Sequence, residues 1–527
     1  MKNKSPLLLL ILFIFCFTQF SCEEEIPTDL TKSPLIPLPT SVTATGSSFQ
    51  LSKGMSIYVD NENEEAKKVA DYLANVLNGP TGFGIEVKDK STDVPKGQIV
   101  LAINGDSSAS GREGYELEIA KDQVKLTASN GAGLFMGIQT IRQLLPPEIE
   151  SSQIQNRSWS IPTGTISDYP RYSHRGSMLD ISRHFFGVDD IKRYIDFLAA
   201  FKMNVLHLHL TDDQGWRIEI KKWPNLTTHG GSTEVGGGQG GFLTQEDYTE
   251  IVQYAADRHI LIIPEIDMPG HTNAALSSYP ELNCDGKATE LYTGTEVGFS
   301  SFCVDKEITY QFIDDVVKEL AALTPGPYIH VGGDESHATK KEDYLIFINK
   351  AKDIVEKNGK RMMGWDETAQ ADLNKDAVVQ LWNSPDFAKM AVDKGAKLLM
   401  SPAKKAYLDM QYDSTTHLGL HWAAYIEVDS GYIWDPATYL PGISDEQIIG
   451  VEAPLWSETV TNMDEIEYLV FPRLMGYAEI GWTPADKRNW EEYKVRLGKF
   501  AKRLEIMEID YYDSKLVEWD KEEELVD

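Results

Sequence analysis

Two adjacent carboxylic acids, Asp334 and Glu335, are the residues of this chain whose types and spacing most directly suggest catalysis. They follow Gly332 and Gly333, which end a short apolar run at residues 328–331 that predicts a buried strand. Two neighbouring carboxylates in a partly buried site do not both ionise cheaply, so one pKa tends to rise and that group can act as an acid at neutral pH. The same residues are also typical of the first turn of a helix, and this stretch alone favours neither interpretation.

The two acids need secondary structure that positions them, and the chain contains a repeated pattern of strands and helices. From about residue 177 onward, apolar runs of strand length alternate with stretches of helical spacing, which predicts βα units and a parallel sheet. Eight such units predict a closed (β/α)8 TIM barrel, an α/β fold. The runs are residues 178–181, 204–210, 260–266, 328–331, 361–365, 377–382, 397–400 and 450–456.

Polar or aromatic side chains follow nearly every one of these runs. Because barrel enzymes keep their chemistry at the carboxyl ends of the strands, this register predicts one site at one face of the barrel. The residues concerned are Arg183, Asp212, Asp213, Asp267, His271, Asp334, Glu335, Trp365, Trp382, Tyr407, Asp409, Trp456 and Glu458.

A smaller domain is predicted before the barrel. Residues 35–170 combine alternating strands with helical patterns at 62–77 and 132–145, which predicts a non-catalytic α+β domain with its junction at 161–170. The catalytic barrel is then assigned residues 171–510, and a C-terminal tail residues 511–527.

The first residues predict export rather than fold. Lys2 and Lys4 precede an apolar run at residues 7–17, which indicates a signal peptide over residues 1–21. The run ends at a small residue followed by Cys22, similar to a bacterial lipoprotein cleavage site, so a lipid on Cys22 and a tether over residues 22–34 are expected. This predicts a periplasmic or cell-surface lipoprotein of a Gram-negative bacterium; the alternative is a plain signal peptide with an incidental cysteine.

The net charge limits the kinds of binding partner that are expected, and the cysteine content predicts one disulfide. The net charge of −31 argues against nucleic acid and anionic membrane surfaces, so membrane contact is expected only through the lipid on Cys22. Of four cysteines, Cys16 leaves with the signal and Cys22 is the lipid site, which leaves Cys284 and Cys303. In an exported protein this remaining pair predicts a disulfide.

Carboxylates together with indoles suit a neutral polyhydroxylated ligand, and the chain contains eleven Trp, although core packing would explain any one of them. Cleavage of a glycoside needs a carboxylic acid to protonate the leaving oxygen and ordinarily a second carboxylate across the bond. Asp334 and Glu335 are neighbours and badly placed to flank a bond from opposite sides. The nucleophile is therefore expected to come from elsewhere.

Four long segments resemble family 20 glycoside hydrolases, the β-N-acetylhexosaminidases. The resemblance extends from residue 35 to about residue 510, and the segments are residues 175–186, 207–216, 264–271 and 330–335. It implies exo-acting release of terminal N-acetylglucosamine or N-acetylgalactosamine from glycans or chitooligosaccharides, without a cofactor or metal. It also implies a retaining mechanism in which the substrate's 2-acetamido oxygen attacks and forms an oxazolinium ion, the substrate-assisted exception to the two-carboxylate scheme.

The resemblance assigns the central roles residue by residue. Glu335 corresponds to the general acid and then base, and Asp334 to the group that orients the acetamido N–H and stabilises developing positive charge. Tyr407 corresponds to the hydroxyl that binds the acetamido carbonyl.

The remaining roles surround these three. The walls of the acetamido pocket are Trp365, Trp382 and Trp456, of which Trp456 also underlies the sugar ring. The groups that grip the non-reducing hydroxyls are Arg183, Asp409 and Glu458. The groups that hold and tune the acid are Asp212, Asp267 and His271. Trp422 borders the aglycone side.

Two other function classes compete with this one. His207 and His209 alternate on one strand face as in metal-dependent hydrolases, but such enzymes need further His ligands after later strands, where this chain has Trp and Tyr. The glycine-rich residues 236–241 lack the Lys and Ser/Thr of a phosphate loop, so they are interpreted as a flexible loop after the second strand.

The non-enzyme alternative is a catalytically inactive glycan-binding surface protein on the same fold. The loss of Glu335 or Asp334 would favour it, and both are present.

Overall fold

The protein is described by a computed structural model that covers residues 26–60, 62–90, 94–104 and 111–521. The predicted signal peptide and Cys22 lie outside these residues. Within them, no helix is both long and apolar enough to cross a membrane.

The first domain is a mixed seven-stranded sheet with two helices packed on it. Its strands are β1 (Ser41–Gln50), β2 (Ser56–Val59), β3 (Glu86–Asp89), β4 (Gln98–Ile103), β5 (Tyr115–Ala120), β6 (Gln123–Ala128) and β7 (Ser160–Asp168), and its helices are α1 (Glu64–Thr81) and α2 (Gly131–Leu144). The strand order in the sheet is β1-β7-β5-β6-β4-β2-β3. The side chains of Asn63 and Asn130 begin the two helices by accepting hydrogen bonds from backbone N–H groups in their first turns.

The predicted junction at residues 161–170 is wrong in most of its length. β7 pairs antiparallel with both β1 and β5, so these residues lie inside the first sheet. Pro162 and Gly164 resemble linker residues in the sequence, but the two flanking strands bury β7 and supply its hydrogen bonds. The connection to the barrel is the short segment 169–173.

The second domain is a closed barrel of eight parallel strands, and each strand overlaps one of the eight predicted runs, although the first begins at His174, before its run at 178–181. They are β8 (His174–Asp180), β9 (Val205–His209), β10 (Leu261–Glu265), β11 (Tyr328–His330), β12 (Arg361–Trp365), β13 (Val378–Leu381), β14 (Lys397–Met400) and β15 (Ile448–Leu455). The strands follow one another around the ring in chain order, and β15 pairs with β8 to close it.

Helices and loops cover the outside of the barrel, and the predicted TIM-barrel architecture is confirmed. The helices are α3 (Val188–Ala200), α4 (Asn225–Thr228), α5 (Gln245–Ala256), α6 (Asn273–Ser278), α7 (Glu307–Leu323), α8 (Lys341–Lys357), α9 (Pro385–Asp393), α10 (Ala403–Ala406), α11 (Val428–Tyr432), α12 (Pro436–Tyr439), α13 (Met463–Val470), α14 (Arg473–Trp482), α15 (Trp490–Gly498) and α16 (Ala501–Ile506). Of these, α3, α5, α7 and α8 are amphipathic, and each buries one apolar face.

Buried polar contacts join the two domains at the amino ends of the barrel strands. Lys202, just before β9, donates to Asp168 Oδ2 at 3.0 Å and to the Tyr115 hydroxyl at 2.9 Å. Trp482 Nε1 donates to the other oxygen of Asp168 at 2.9 Å. The pairing satisfies a buried cation and a buried carboxylate together.

Three terminal or loop features complete the fold. The Cys284–Cys303 disulfide predicted from the sequence is present. Within the predicted tether, Leu30 is buried against the first domain. Within the predicted tail, the ring of Tyr512 stacks on Tyr412 with centroids 3.9 Å apart, so this part of the tail packs on the barrel domain.

Candidate active site

The turn after β11 places the two adjacent acids, and its geometry depends on glycine. Gly332 and Gly333 have φ of 64° and 97°, and Glu335 itself has φ of 44°. A Cβ on Gly332 would lie 1.9 Å from Oδ1 of Asp267, so a side chain there would collide with the neighbouring loop. The left-handed turn lets Asp267 approach the chain, where its Oδ1 accepts a hydrogen bond from Gly333 N at 3.0 Å.

Asp334 and Glu335 are chain neighbours with different surroundings. The Asp334 side chain is 11% exposed, whereas the Glu335 side chain is 32% exposed and reaches the solvent-facing side of the site. Burial raises the pKa of Asp334 to about 6; His271 opposes that rise, while the charges of Glu265 and Glu335 add to it. Asp334 is therefore largely ionised at neutral pH but close to its titration range.

A chain of imidazoles and carboxylates supports the two acids from behind. His271 Nε2 lies 3.7 Å from Asp334 Oδ2 and 3.9 Å from Glu335 Oε2, and His271 Nδ1 contacts Asp212 Oδ1 at 3.1 Å. Burial alone would lower the pKa of His271, but the charge of Asp212 and its hydrogen bond to the ring oppose this, and the pKa of His271 is held well above its usual value. A cationic imidazole thus faces both acids.

Asp267 differs from Asp212 in its charge state. Burial and then the charge of Asp334 raise the pKa of Asp267 well above its usual range, although His271 opposes the rise. The pKa of Asp212 is held well below its usual range, because Arg183 and His271 outweigh burial. The arrangement therefore favours the anionic form of Asp212 and the protonated form of Asp267 beside Asp334.

Aromatic side chains form the wall opposite these acids. Trp456 lies beside both Trp365 and Tyr407, with ring centroids 5.7 and 6.3 Å apart, and Trp422 is 6.0 Å from Tyr407 and 6.1 Å from Trp382. Trp365 and Tyr407 are buried, whereas Trp422 is 57% exposed at the rim. Burial, and then the charges of Asp334 and Asp409, raise the pKa of Tyr407 well above its usual value, so its hydroxyl remains a donor.

Arg183, Asp409 and Glu458 form a group of charged side chains in which the charge of Glu458 acts on both Arg183 and Asp409. The Arg183 guanidinium lies 4.8 Å from the centre of the Trp456 ring and contacts Asp212 Oδ2 at 2.8 Å. Both carboxylate oxygens of Asp409 and Oε2 of Glu458 are buried, and no side chain of the described residues hydrogen-bonds to them. Buried carboxylates without partners are suited to accept hydrogen bonds from ligand hydroxyls.

The contacts above connect most of the predicted site residues into one array at the carboxyl ends of the strands. It runs from Glu335 and Asp334 through His271, Asp212 and Arg183 to the aromatic wall. The disulfide lies next to the array rather than in it. Ser300, three residues before Cys303, donates to Asp213 Oδ1 at 2.5 Å.

Three further acids of the site are not predicted individually by the sequence. Glu265 contacts Trp365 Nε1 and three imidazoles, Glu367 Oε2 accepts from Trp382 Nε1 at 3.1 Å, and Asp366 Oδ2 accepts from three backbone N–H groups beginning at Trp382. Glu265 faces the barrel interior on the same side of β10 as Ile263, and this alternation is the available signal. Glu367 and Asp366 directly follow Trp365.

Comparisons with known proteins match both domains to one family. The family model described as "Glycosyl hydrolase family 20, catalytic domain" matches residues 172–485, and "Glycosyl hydrolase family 20, domain 2" matches residues 32–169. A β-N-acetylhexosaminidase from Cellulomonas fimi is 39% identical over 489 residues, covering 92% of this chain and 97% of that protein.

Solved structures show the same likeness. A family 20 β-N-acetylhexosaminidase from Streptomyces coelicolor superposes with a TM-score of 0.89 at 50% identity, covering 92% of this chain and 99% of that one. The Streptomyces plicatus N-acetyl-β-hexosaminidase in complex with Thio-NAglucal superposes with a TM-score of 0.89 at 51% identity, covering 92% and 98%.

Proposed function

The chain belongs to glycosyl hydrolase family 20 and is a β-N-acetylhexosaminidase, and we propose that it removes terminal N-acetylglucosamine or N-acetylgalactosamine by a retaining, substrate-assisted mechanism. The proposal rests on the positions of Asp334 and Glu335, whose carboxylates lie on the same side of the site. His271 Nε2 is 3.7 Å from Asp334 Oδ2 and 3.9 Å from Glu335 Oε2. Two acids on one side of a bond do not supply an acid and an opposed nucleophile. The acetamido oxygen of the substrate fills that role.

In the first step, the acetamido oxygen forms a bond to the anomeric carbon while the glycosidic C–O bond breaks. Glu335 gives its proton to the departing oxygen. Asp334 accepts a hydrogen bond from the acetamido N–H, and the Tyr407 hydroxyl donates to the acetamido oxygen. The product is an oxazolinium ion, whose positive charge lies beside the anionic Asp334.

In the second step, Glu335 takes a proton from water, and the water oxygen attacks the anomeric carbon. The bond between that carbon and the acetamido oxygen breaks, which restores the acetamido group with retained configuration. The aromatic wall of Trp365, Trp382 and Trp456 keeps other water away from the intermediate.

Arg183, Asp409 and Glu458 account for exo action. Their buried oxygens and guanidinium bind the hydroxyls of a terminal ring stacked on Trp456, and a preceding sugar would displace these contacts. A Streptomyces plicatus relative was solved with GlcNAc as its product, which supports an amino sugar at this position.

A substrate panel tests the proposal. Chromogenic β-N-acetylglucosaminide and β-N-acetylgalactosaminide should both be hydrolysed, with no loss of rate in a chelator. Binding of the sugars without any turnover would instead support a glycan-binding protein, and inactivation by the chelator would support a metal-dependent hydrolase.

We propose as well that the protein is exported and anchored through a lipid on Cys22, from the resemblance of its first residues to a lipoprotein signal. A single acyl chain binds a membrane only weakly, whereas two or more acyl chains on the same residue give stable binding. Protein made with its signal should sediment with membranes, and Cys22→Ser should release it. A membrane-bound Cys22→Ser variant would refute the anchor.

A further inference from the structure

A buried carboxylate that the mechanism does not use lies at the centre of the barrel. Glu265, the last residue of β10, is fully buried, and its oxygens face donors on three other strands. Oε1 accepts from Trp365 Nε1 at 2.9 Å, with His330 Nδ1 also at 2.9 Å. Oε2 accepts from His209 Nδ1 at 2.6 Å, with His207 Nε2 at 3.0 Å.

The charge of this carboxylate is maintained by its neighbours. Burial alone would raise the pKa of Glu265, but the imidazoles of His330, His209 and His207 outweigh it and hold that pKa well below the usual range. An ionised carboxylate only accepts hydrogen bonds, so the two nitrogens that hydrogen-bond to it, His209 Nδ1 and Trp365 Nε1, both carry protons. Glu265 thereby fixes the orientation of the His209 and Trp365 rings.

The two oxygens of Glu265 lead to different parts of the active site. From Oε1, the contact goes directly to the Trp365 indole in the aromatic wall. From Oε2, it goes to His209, whose Nε2 contacts Asp212 Oδ2 at 2.8 Å. Asp212 in turn contacts His271 at 3.1 Å, and His271 faces both catalytic acids.

We propose that Glu265 is a positioning residue that fixes, through its two oxygens, the acetamido-pocket wall at Trp365 and the His209–Asp212–His271 chain behind the acids. The assignment rests on the proposed function, because it assumes that the pocket binds an acetamido group. One buried carboxylate then fixes Trp365, which lines the pocket of the nucleophilic acetamido group, relative to the His209–Asp212–His271 chain, which supports the acid.

The Glu265→Gln substitution distinguishes the contact with Trp365 from the contact with His209. An amide has a single acceptor oxygen, so it satisfies either His209 or Trp365 and turns its NH2 toward the other. Burial lowers the pKa of His209, but Glu265 and Asp212 outweigh it and favour the cationic ring. His209 is therefore the stronger partner and retains the oxygen, since charge-assisted hydrogen bonds are the stronger ones. Trp365 then faces a donor, and the pocket wall loses its fixed position.

Glu452→Gln is the matched control. Glu452 is also a buried barrel carboxylate, and its oxygens contact His174 at 2.9 Å, His207 at 2.8 Å and Gln380 at 2.8 Å. Glu452 contacts neither Trp365 nor His209 directly, although it shares His207 with Glu265. The variant therefore reports what removing a buried barrel charge does without disturbing the pocket wall.

The experiment compares aryl β-glycosides of N-acetyl- and N-propionylglucosamine. A pocket fitted to the acetyl group should discriminate against one extra methylene by roughly 10–200-fold in kcat/KM. Glu265→Gln should lower kcat/KM on the acetyl substrate by at least about tenfold and reduce the acetyl-to-propionyl ratio severalfold, as expected from a loosened wall. Glu452→Gln should keep the wild-type ratio.

An unchanged acetyl-to-propionyl ratio in folded Glu265→Gln would overturn the proposal. If Glu265→Gln does not fold, Trp365→Phe removes the indole donor and leaves the buried charge in place. That variant should also reduce the ratio, and an unchanged ratio would overturn the role of Oε1. A wild-type enzyme inactive on the acetyl substrate would refute the proposed function instead, which distinguishes the two failures.

Discussion

Asp334 and Glu335 perform different tasks because the turn between them points their carboxylates into different surroundings. The left-handed backbone of Glu335 directs its side chain toward the accessible side of the site, while Asp334 remains buried against Asp267 and His271. A group that exchanges protons with a leaving group and with water has to be accessible. A group that holds the acetamido N–H gains from burial, since a charge acts more strongly in a water-poor environment.

Replacement of Glu335 should reveal its role through the leaving group. Glu335→Gln is expected to lower kcat/KM by about 10²–10⁴-fold on a glycan with a poor leaving group, as for loss of a general acid. An activated aryl leaving group needs little protonation, so its loss should be much smaller. Steady-state kinetics on both substrates makes the comparison, and equal losses would contradict the assignment.

The pH dependence of activity should report Asp334. Since the pKa of Asp334 is raised to about 6 and the ionised form is required, kcat/KM should fall as the pH drops through about 6. His271 holds that pKa down, so His271→Asn should move the acid limb to higher pH. His229→Asn, at an exposed position, is the control. An acid limb that stays in place in His271→Asn would contradict this account.

At the scale of elements, the site depends on how β11 ends. The strand has only three residues, and its chain then turns through two glycines with positive φ beside the loop that follows β10. In that turn, Gly333 N donates to Asp267 Oδ1 and Gly332 O accepts from Trp365 N, so the backbone groups of the turn are satisfied by both neighbouring strands.

Substitution at this turn should be severe. Gly332→Ala is expected to cost several kcal/mol of stability and most of the activity, because the new Cβ would lie 1.9 Å from Asp267 Oδ1 at a φ of 64°. Gly359→Ala has a similar positive φ of 77° with open space around it, so it should cost only about 1 kcal/mol. Denaturant unfolding and kcat measure both, and equal costs for the two variants would contradict the steric argument.

The secondary-structure elements can be predicted from the sequence more readily than the tertiary contacts that these elements and their side chains make. The eight barrel strands are predictable because each is a compact apolar run bounded by polar residues. β7 is not, because Pro162 and Gly164 weaken its strand pattern and its stability comes from β1 and β5, which are distant in the chain. For the same reason Glu265 gives no individual signal, since its four partners come from three other strands.

At the scale of the whole molecule, the first domain and the barrel are joined by a buried ion pair at the end opposite the site. Asp168 from β7 accepts from Lys202, Tyr115 and Trp482, and the Lys202 ammonium also lies 4.6 Å from the Trp482 ring centre. The interface therefore contributes to stability without any direct contact with the catalytic groups.

Removal of the cation should destabilise the protein and leave the chemistry intact. Lys202→Met leaves the buried Asp168 charge without its counterion, which is expected to cost about 3–5 kcal/mol. Lys389→Met removes one partner of an exposed pair with Asp393 and should cost less than about 1 kcal/mol. The denaturation midpoint and the KM of each folded variant test this, and a stability equal to wild type in Lys202→Met would contradict it.

The central claim is that the substrate's own acetamido group is the nucleophile, and paired substrates that differ only at C2 test it most directly. The account predicts rapid hydrolysis of an aryl β-N-acetylglucosaminide, no detectable hydrolysis of the matching aryl β-glucoside, and strong inhibition by a thiazoline mimic of the oxazolinium ion, as expected for a ligand that resembles the transition state. Efficient cleavage of the glucoside, or a sugar trapped covalently on an enzyme carboxylate, would contradict it.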